Sequence, residues 1–485
     1  MKKTLLSGLF WVLLANLLVK PFWLLGIEVG VQNAVGTEMY GFYFGIFNIT
    51  YIFNILLDLG VTNFNTRNIA RHPKLIRKHL SGILTIKLLL LGLYLLVTFS
   101  TGALLGYGSD QFYLLSWLTL NQFLSSLILY LRSNFEGLLL FKWDSLLSVM
   151  DRVLMIVICG MMLWGPMGHM TIFHFVYAQT AAYLLTAGTA LAVLIKKTGL
   201  NRLHWNMPFT LAIIKKSLPF ALLVLLMASY NRIDPVLLQQ LSPKGHGNLN
   251  AGIYAGAFRL LDALTMIAYL VSIPLLPVFS KMTKTHRESG VATEIASTTR
   301  LTFSTMMVFA ITAAMALACI SEDLMKLFYS ENEQDYAAVF GILVFGIIPI
   351  SITYIFGTLL TANGNLKQLN IFAALSLGLN IVVNIVCIPR WGAIGSAWAG
   401  LTAQTFMAVA QMATALRIFK MQPTVNYILK LAFFTLSIAG CTICLPHIAP
   451  WWATLAITAV LSTGLAMILR LIDIKEIIQI VKNNE

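Results

Sequence analysis

The sequence predicts an all-α polytopic membrane protein with about fourteen transmembrane helices, and three observations carry that prediction. The first is composition. Of 485 residues, 58% are hydrophobic and 11% charged, with a mean hydropathy of +0.81, whereas about a quarter of a soluble domain is charged. The second is continuity: the apolar runs reach the length of about 20 residues that spans a bilayer as helix, without the ten-residue alternation of an outer-membrane barrel. The third is loop charge. Lys and Arg crowd alternate loops, at 2–3, 67–78, 196–216 and 281–287 and at Lys142, Lys367, Arg417, Lys420, Lys475 and Lys482, against Lys244, Lys326 and Arg390 on the other side. By the positive-inside rule both termini are then cytoplasmic. The same asymmetry accounts for the net charge of +14. The excess lies at membrane edges, where anionic lipid headgroups are the expected counterpart, and no nucleic-acid partner is expected.

Met1-Lys2-Lys3 followed by an apolar run has the look of a secretory signal, but Lys20 and Pro21 interrupt it and no small-x-small cleavage site follows. The segment reads as a first retained helix. Proline inside it kinks the helix, and Lys20 at the kink either reaches a cavity or snorkels to an edge. In the next span Asn48, Thr50, Asn54 and Asp58 recur at helical spacing and form one polar stripe. Helix-to-helix hydrogen bonding and substrate contact both fit the stripe, with Asn48 the candidate contact. Arg132, Glu136, Asp144, Asp151 and Arg152 read as ion pairs at the inner membrane edge of the fourth and fifth spans. The basic loop 201–216 then separates a six-helix lobe, 1–200, from a second, 217–420. Residues 421–485 add two helices and a tail in which Ile474, Ile477, Ile478 and Val481 share one face, as a short surface helix or a frayed terminus would.

The second lobe opens with the most informative stretch. Arg232, Asp234, Arg259 and Asp262 lie inside two apolar segments, roughly 218–241 and 251–278, joined by a short link at 242–248 and each long enough to span. Each charge costs about 2.5 to 3.5 kcal/mol at the membrane centre, so such groups face the protein interior or water and mark a transport path by default. Counted from the link at about 1.5 Å per residue, all four fall roughly 10 to 16 Å below one surface. Arg232 and Asp234, two apart, point in different directions on a continuous helix, while Arg259 and Asp262 share a face. A charge network locking two helices is the structural alternative to a binding site. The hairpin also echoes the N-terminus. Laying Pro235 on Pro21 puts Asp234 on Lys20, Tyr254 on Tyr40 and Asp262 on Asn48, the kind of internal repeat on which secondary transporters are built.

Other chemistries lack their parts. Cys441 and Cys444 have metal or redox spacing but lie in an apolar run without His or carboxylate neighbours, so no metal and no disulfide is expected. No nucleotide-binding Gly-rich loop, HExxH or GxSxG motif occurs, and neither a cofactor nor catalysis is expected.

The run Val35-Gly36-Thr37-Glu38-Met39-Tyr40-Gly41-Phe42-Tyr43, then Leu57-Asp58-Leu59-Gly60-Val61 and Arg67-Asn68-Ile69-Ala70-Arg71, resembles the N-terminal signature of the O-antigen and capsule polysaccharide flippases. Gly252-Ile253-Tyr254-Ala255-Gly256-Ala257-Phe258-Arg259 resembles the matching pattern of their second half. These flippases belong to the multidrug/oligosaccharidyl-lipid/polysaccharide exporter superfamily. The resemblance implies two six-helix lobes in the inner membrane that carry an undecaprenyl-pyrophosphate-linked oligosaccharide outward by alternating access, beside a polysaccharide polymerase and chain-length machinery. An anionic head needs fixed cations, for which Lys20, Arg232 and Arg259 are the candidates. Asp234 and Asp262 are the candidates for coupling to an ion. Two alternatives are a multidrug exporter of the same superfamily, disfavoured by a lysine in the first helix, and a membrane-embedded glycan polymerase or glycosyltransferase. The latter would work through the acidic outer loop Ser321 to Tyr336, which is short for an enzyme.

Overall fold

The computed structural model describes residues 19–62, 65–66, 69, 76–165, 170–198, 207–289, 293–422, 424–445 and 449–472. The N-terminal lysines, residues 201–206 of the loop 201–216 and the tail face from Ile474 to Val481 lie outside these residues. Among them, eleven helices are long and apolar enough to cross a membrane, or twelve if the bent pair Ala221–Arg232 and Asp234–Leu241 is one span. One, Leu366–Ile418, has 53 residues and at 1.5 Å per residue would run about 80 Å, more than twice a bilayer core. It holds two helices joined across a kink at Gly392, whose φ of 53° and ψ of −128° only glycine adopts without strain. That division adds one more span to the twelve, and most of the first apolar segment lies outside the described residues. The chain is a multi-pass all-α membrane protein.

Two compact units follow the chain, Met1–Ala255 and Gly256–Glu485. In the first, residues 19–22 are helical and, just past Pro21, the helix loosens into a π-turn over Trp23–Ile27 before α1 (Glu28–Val35). Gly36, at φ 82°, turns the chain into α2 (Thr37–Ile52). A 3-10 turn, Phe53–Leu57, and a break at Leu59 and Gly60, both at positive φ, end that span. Then come α3 (Ile76–Leu104), α4 (Ser109–Gly137), α5 (Phe141–Trp164), α6 (Ile172–Thr198), α7 (Met207–Arg232), α8 (Asp234–Leu241) and the head of α9 (Gly247–Ser272).

Backbones in this unit meet where side chains are absent. A Cβ on Gly41 would collide with the Asn248 carbonyl, and one on Gly252 with the Thr37 carbonyl. Gly41 and Gly45 form a GxxxG face, the packing by which helices approach closely in lipid. Two amides seal the crossing: Gln239 Nε2 donates to the Gly41 carbonyl at 3.0 Å, and Gln32 Nε2 to the Gly252 carbonyl at 2.9 Å.

In the second unit the rest of α9 leads into α10 (Leu275–Ser289), α11 (Thr293–Cys319), α12 (Ser321–Phe328), α13 (Glu333–Leu343), α14 (Ile347–Asn363), α15 (Leu366–Ile418), α16 (Val425–Cys444) and α17 (Trp451–Ile468). The last two helices are tied to α11. Tyr427 hydrogen-bonds Ser304 at 2.8 Å and lies under the Arg300 guanidinium, and Cys319 Sγ donates to the Thr442 carbonyl at 2.7 Å. On α17 the buried residues Thr454, Thr458, Ser462 and Ala466 repeat every fourth position, a stripe of small side chains suited to close packing.

Candidate functional site

The first unit holds a basic and aromatic cluster built around the π-turn. Pro21 lacks an N–H and so removes one main-chain hydrogen bond from the helix, and the widened turn that follows carries Trp23. The indole N–H donates to Glu28 Oε1 at 2.8 Å, and its ring stacks on Phe175, with centroids 5.9 Å apart. Over the Trp23 ring itself sits the Arg152 guanidinium, 5.4 Å from the ring centroid, a cation–π geometry. Arg152 also hydrogen-bonds Tyr183 and feels Asp151, Glu28 and Tyr43. Lys20 shares the field of the same group, with Arg152, Arg132 and Asp151 as its charged neighbours.

Arg152 was expected in an ion pair at a membrane edge; the pair is present, its Nε lying 3.8 Å from Asp151 Oδ2, but the position in the helix differs. The span Phe141–Trp164 has 24 residues, so Arg152 stands at its middle, where a cation is costly unless it is held or faces water. Its side chain is 32% exposed. Arg132 and Asp144, by contrast, sit near the ends of their helices and pair at 2.7 Å, as the edge reading expected.

Asn48 is fully buried on α2. Its Nδ2 donates to the Phe44 carbonyl at 2.7 Å, while its Oδ1 has no partner among the described residues, a buried acceptor of the kind that a bound hydroxyl would satisfy. The rest of the stripe is absorbed by packing: Asn54 Nδ2 donates to Gln122 Oε1 at 2.6 Å, the Thr50 carbonyl accepts from Tyr94, and Asp58 pairs with Lys87. Beside the stripe a polar relay runs from Thr180 through Asn121 and Gln179 to the Tyr43 hydroxyl.

Arg232 ends α7 and lies over the Tyr51 ring at 5.1 Å. Asp234 opens α8 after a 49° bend. The spacing rule that turned these charges apart assumed one continuous helix, and the break at Ile233, followed by Pro235, replaces it. Asp234 is 2% exposed and accepts the Tyr254 hydroxyl at 2.8 Å.

In the second unit Arg259 is 4% exposed and donates through Nη1 to the Tyr329 hydroxyl at 2.6 Å. Tyr329 stacks on Tyr336, with centroids 4.2 Å apart, and both rings press on Gly256, where a Cβ would not fit. Asp262 is half-buried one turn further along α9, its carbonyl accepting from Thr265. Among the described residues no three His, Cys, Asp or Glu side chains converge on a metal-binding geometry.

Residues 5–283, more than half of the chain, match the model of a family described as polysaccharide biosynthesis protein. No curated protein sequence matches the chain. Among solved structures, a lipid II flippase MurJ in an inward closed conformation superposes with a TM-score of 0.66 at 16% identity, covering 94% of this chain and 98% of that one. An inward-facing multidrug resistance MATE family transporter of the MOP superfamily gives 0.65 at 12% identity, over 82% and 94%. A MOP superfamily transporter from Pyrococcus furiosus, described by the reverse polarity of its binding pocket, gives 0.52 at 13% identity, over 85% and 93%. These likenesses establish the fold as that of MOP-type transporters.

Proposed function

The chain belongs to the polysaccharide biosynthesis protein family, and from that premise we propose that it is a flippase, moving an undecaprenyl-pyrophosphate-linked oligosaccharide from the cytoplasmic to the periplasmic leaflet of a bacterial inner membrane. The observation that carries this reading is Arg152 at the middle of its span, partly open, stacked on Trp23 and near Lys20. A pyrophosphate needs fixed cations to offset its charge, and a guanidinium held over a buried indole while itself partly open supplies one in a fixed place. Lys20, Arg152, Arg232 and Asn48 serve this role in the first unit and Arg259 in the second. Asp234 and Asp262 are proposed to couple transport to an ion. The lobes are proposed as 1–200 and 217–420, joined by 201–216, with 421–485 added, both termini cytoplasmic, and the chain acting as a transporter rather than an enzyme. O-antigen or capsule assembly, with its polymerase and chain-length machinery, is the proposed setting.

The test measures surface glycan and folded protein together. Lys20→Ala, Arg232→Ala and Arg259→Ala should each lower export while abundance holds, because the lost group is a substrate contact. Loss of folded protein in parallel with export would assign these cations to helix locking instead. Export of cationic drugs with no change in glycan would sink the flippase reading in favour of multidrug efflux.

A further inference from the structure

Where α2 ends, the chain builds an oxygen cage around a buried ammonium. The 3-10 turn Phe53–Leu57 and the positive φ of Leu59 and Gly60 pull the backbone out of helix, and Val61 N–H bonds the Asp58 carbonyl. The Leu57 carbonyl is thereby turned toward α3. Lys87, 1% exposed and roughly 8 Å inside the span that starts at Gly82, fills the space. Its Nζ lies 2.8 Å from Asp58 Oδ1, 2.8 Å from Ser126 Oγ, 3.0 Å from the Leu57 carbonyl and 3.5 Å from the Ser126 carbonyl.

A carboxylate, a hydroxyl and two main-chain carbonyls are the oxygen types that bind hard cations. An ammonium has three hydrogens for these four oxygens, whereas a spherical ion has no such limit. Asp58 is also held from below, its Oδ1 accepting from the Thr62 N–H and hydroxyl, and its side chain is 23% exposed. Among the described residues Asp58 is the one charged group that reaches Lys87, since α4 meets it through Ser126 and commits Arg132 to Asp144.

We propose that the oxygens of Leu57, Asp58 and Ser126 form a monovalent-cation site whose resident cation is the chain's own Lys87 ammonium. Without that ammonium the Asp58 carboxylate and the oxygens beside it are left uncompensated inside the protein, which is strongly unfavourable unless another cation of similar size fills the cage. The site does not rest on the transporter reading.

The experiment compares the purified full chain with Lys87→Ala in NH4Cl, KCl and choline chloride at equal ionic strength, reading the thermal unfolding midpoint. The wild type should show one midpoint in all three. Lys87→Ala should be lower in choline and recover by about 3 °C or more in NH4+ and in K+, ions of nearly the size of the lost ammonium. Adding Asp58→Asn should abolish the recovery. Lys87→Ser runs in parallel, and recovery of either variant as folded protein in NH4+ or K+ but not in choline counts as the same response. Midpoints equal in all salts, or failure of both variants to fold in any of them, would overturn the proposal and leave Lys87 as a tie between helices. Because the readout is ion binding, failure of the glycan assay leaves this result standing.

Discussion

Arg259 gives a hydrogen to the Tyr329 hydroxyl at 2.6 Å, across a stretch of seventy residues of the same unit. The tyrosine that receives it follows α12, so a buried guanidinium is tied to the loop between α12 and α13. Removing the hydroxyl with Tyr329→Phe keeps the stack on Tyr336 and deletes two bonds, the one accepted from Arg259 and a longer one donated to the Gly256 carbonyl at 3.3 Å. It should lower the thermal midpoint modestly, by the equivalent of about 0.6 to 1.7 kcal/mol. If Arg259 binds the anionic head, the same variant should change the apparent affinity for lipid-linked substrate more than the maximal rate.

Arg152→Lys keeps the charge and discards the planar guanidinium over Trp23. Export should fall about tenfold, with Arg152→Ala lower still and protein abundance unchanged in both. Equal export in wild type and Arg152→Lys would reduce this residue to a point charge.

Gly252→Val should abolish folded protein, because its side chain would meet the Thr37 carbonyl and carbonyls do not yield. Overpacking of this kind costs about 1 to 3 kcal/mol and more against backbone. Gly188→Ala, which meets nothing within 4 Å, should be silent. Detergent-solubilised yield on a sizing column separates the two.

Orientation is checked by single cysteines in a cysteine-free background. An impermeant thiol reagent applied outside should label Ser330→Cys and spare Ser289→Cys, and the reverse pattern would invert the topology.

Most of the architecture was legible because membrane spans write themselves in length and hydropathy. The site was legible only in part. Arg232, Asp234 and Arg259 stood out because each interrupts an apolar run. Asp151 and Arg152 do the same, yet their nearness in sequence to Arg132, Glu136 and Asp144 groups them with the edge charges, whereas the helix Phe141–Trp164 puts them near its middle. The available signal was the apolar flank on either side, Leu146 to Met150 and Val153 to Leu163. Lys87 carried a clear mark too, a lone lysine before Leu88-Leu89-Leu90. Its partner Asp58 was assigned to a stripe, because pairing through tertiary structure has no periodicity to read. Trp23 could not be foreseen, since the π-turn that aims it depends on packing around Pro21.

The 49° break at Ile233 has an electrostatic consequence of its own. Arg232 closes one helix and Asp234 opens the next, so the cation stands at the negative pole of a peptide dipole and the anion at the positive pole of another. Each charge is therefore partly neutralised by backbone inside the membrane, before any side chain approaches it. Exchanging the two in place would leave the composition and the net charge untouched. It would also set each against a like pole, at about 0.3 to 1 kcal/mol apiece at the surface and up to about 2 kcal/mol where water is scarce. Their order along the chain, arginine before the break and aspartate after it, is thus itself a stabilising feature of the bent span.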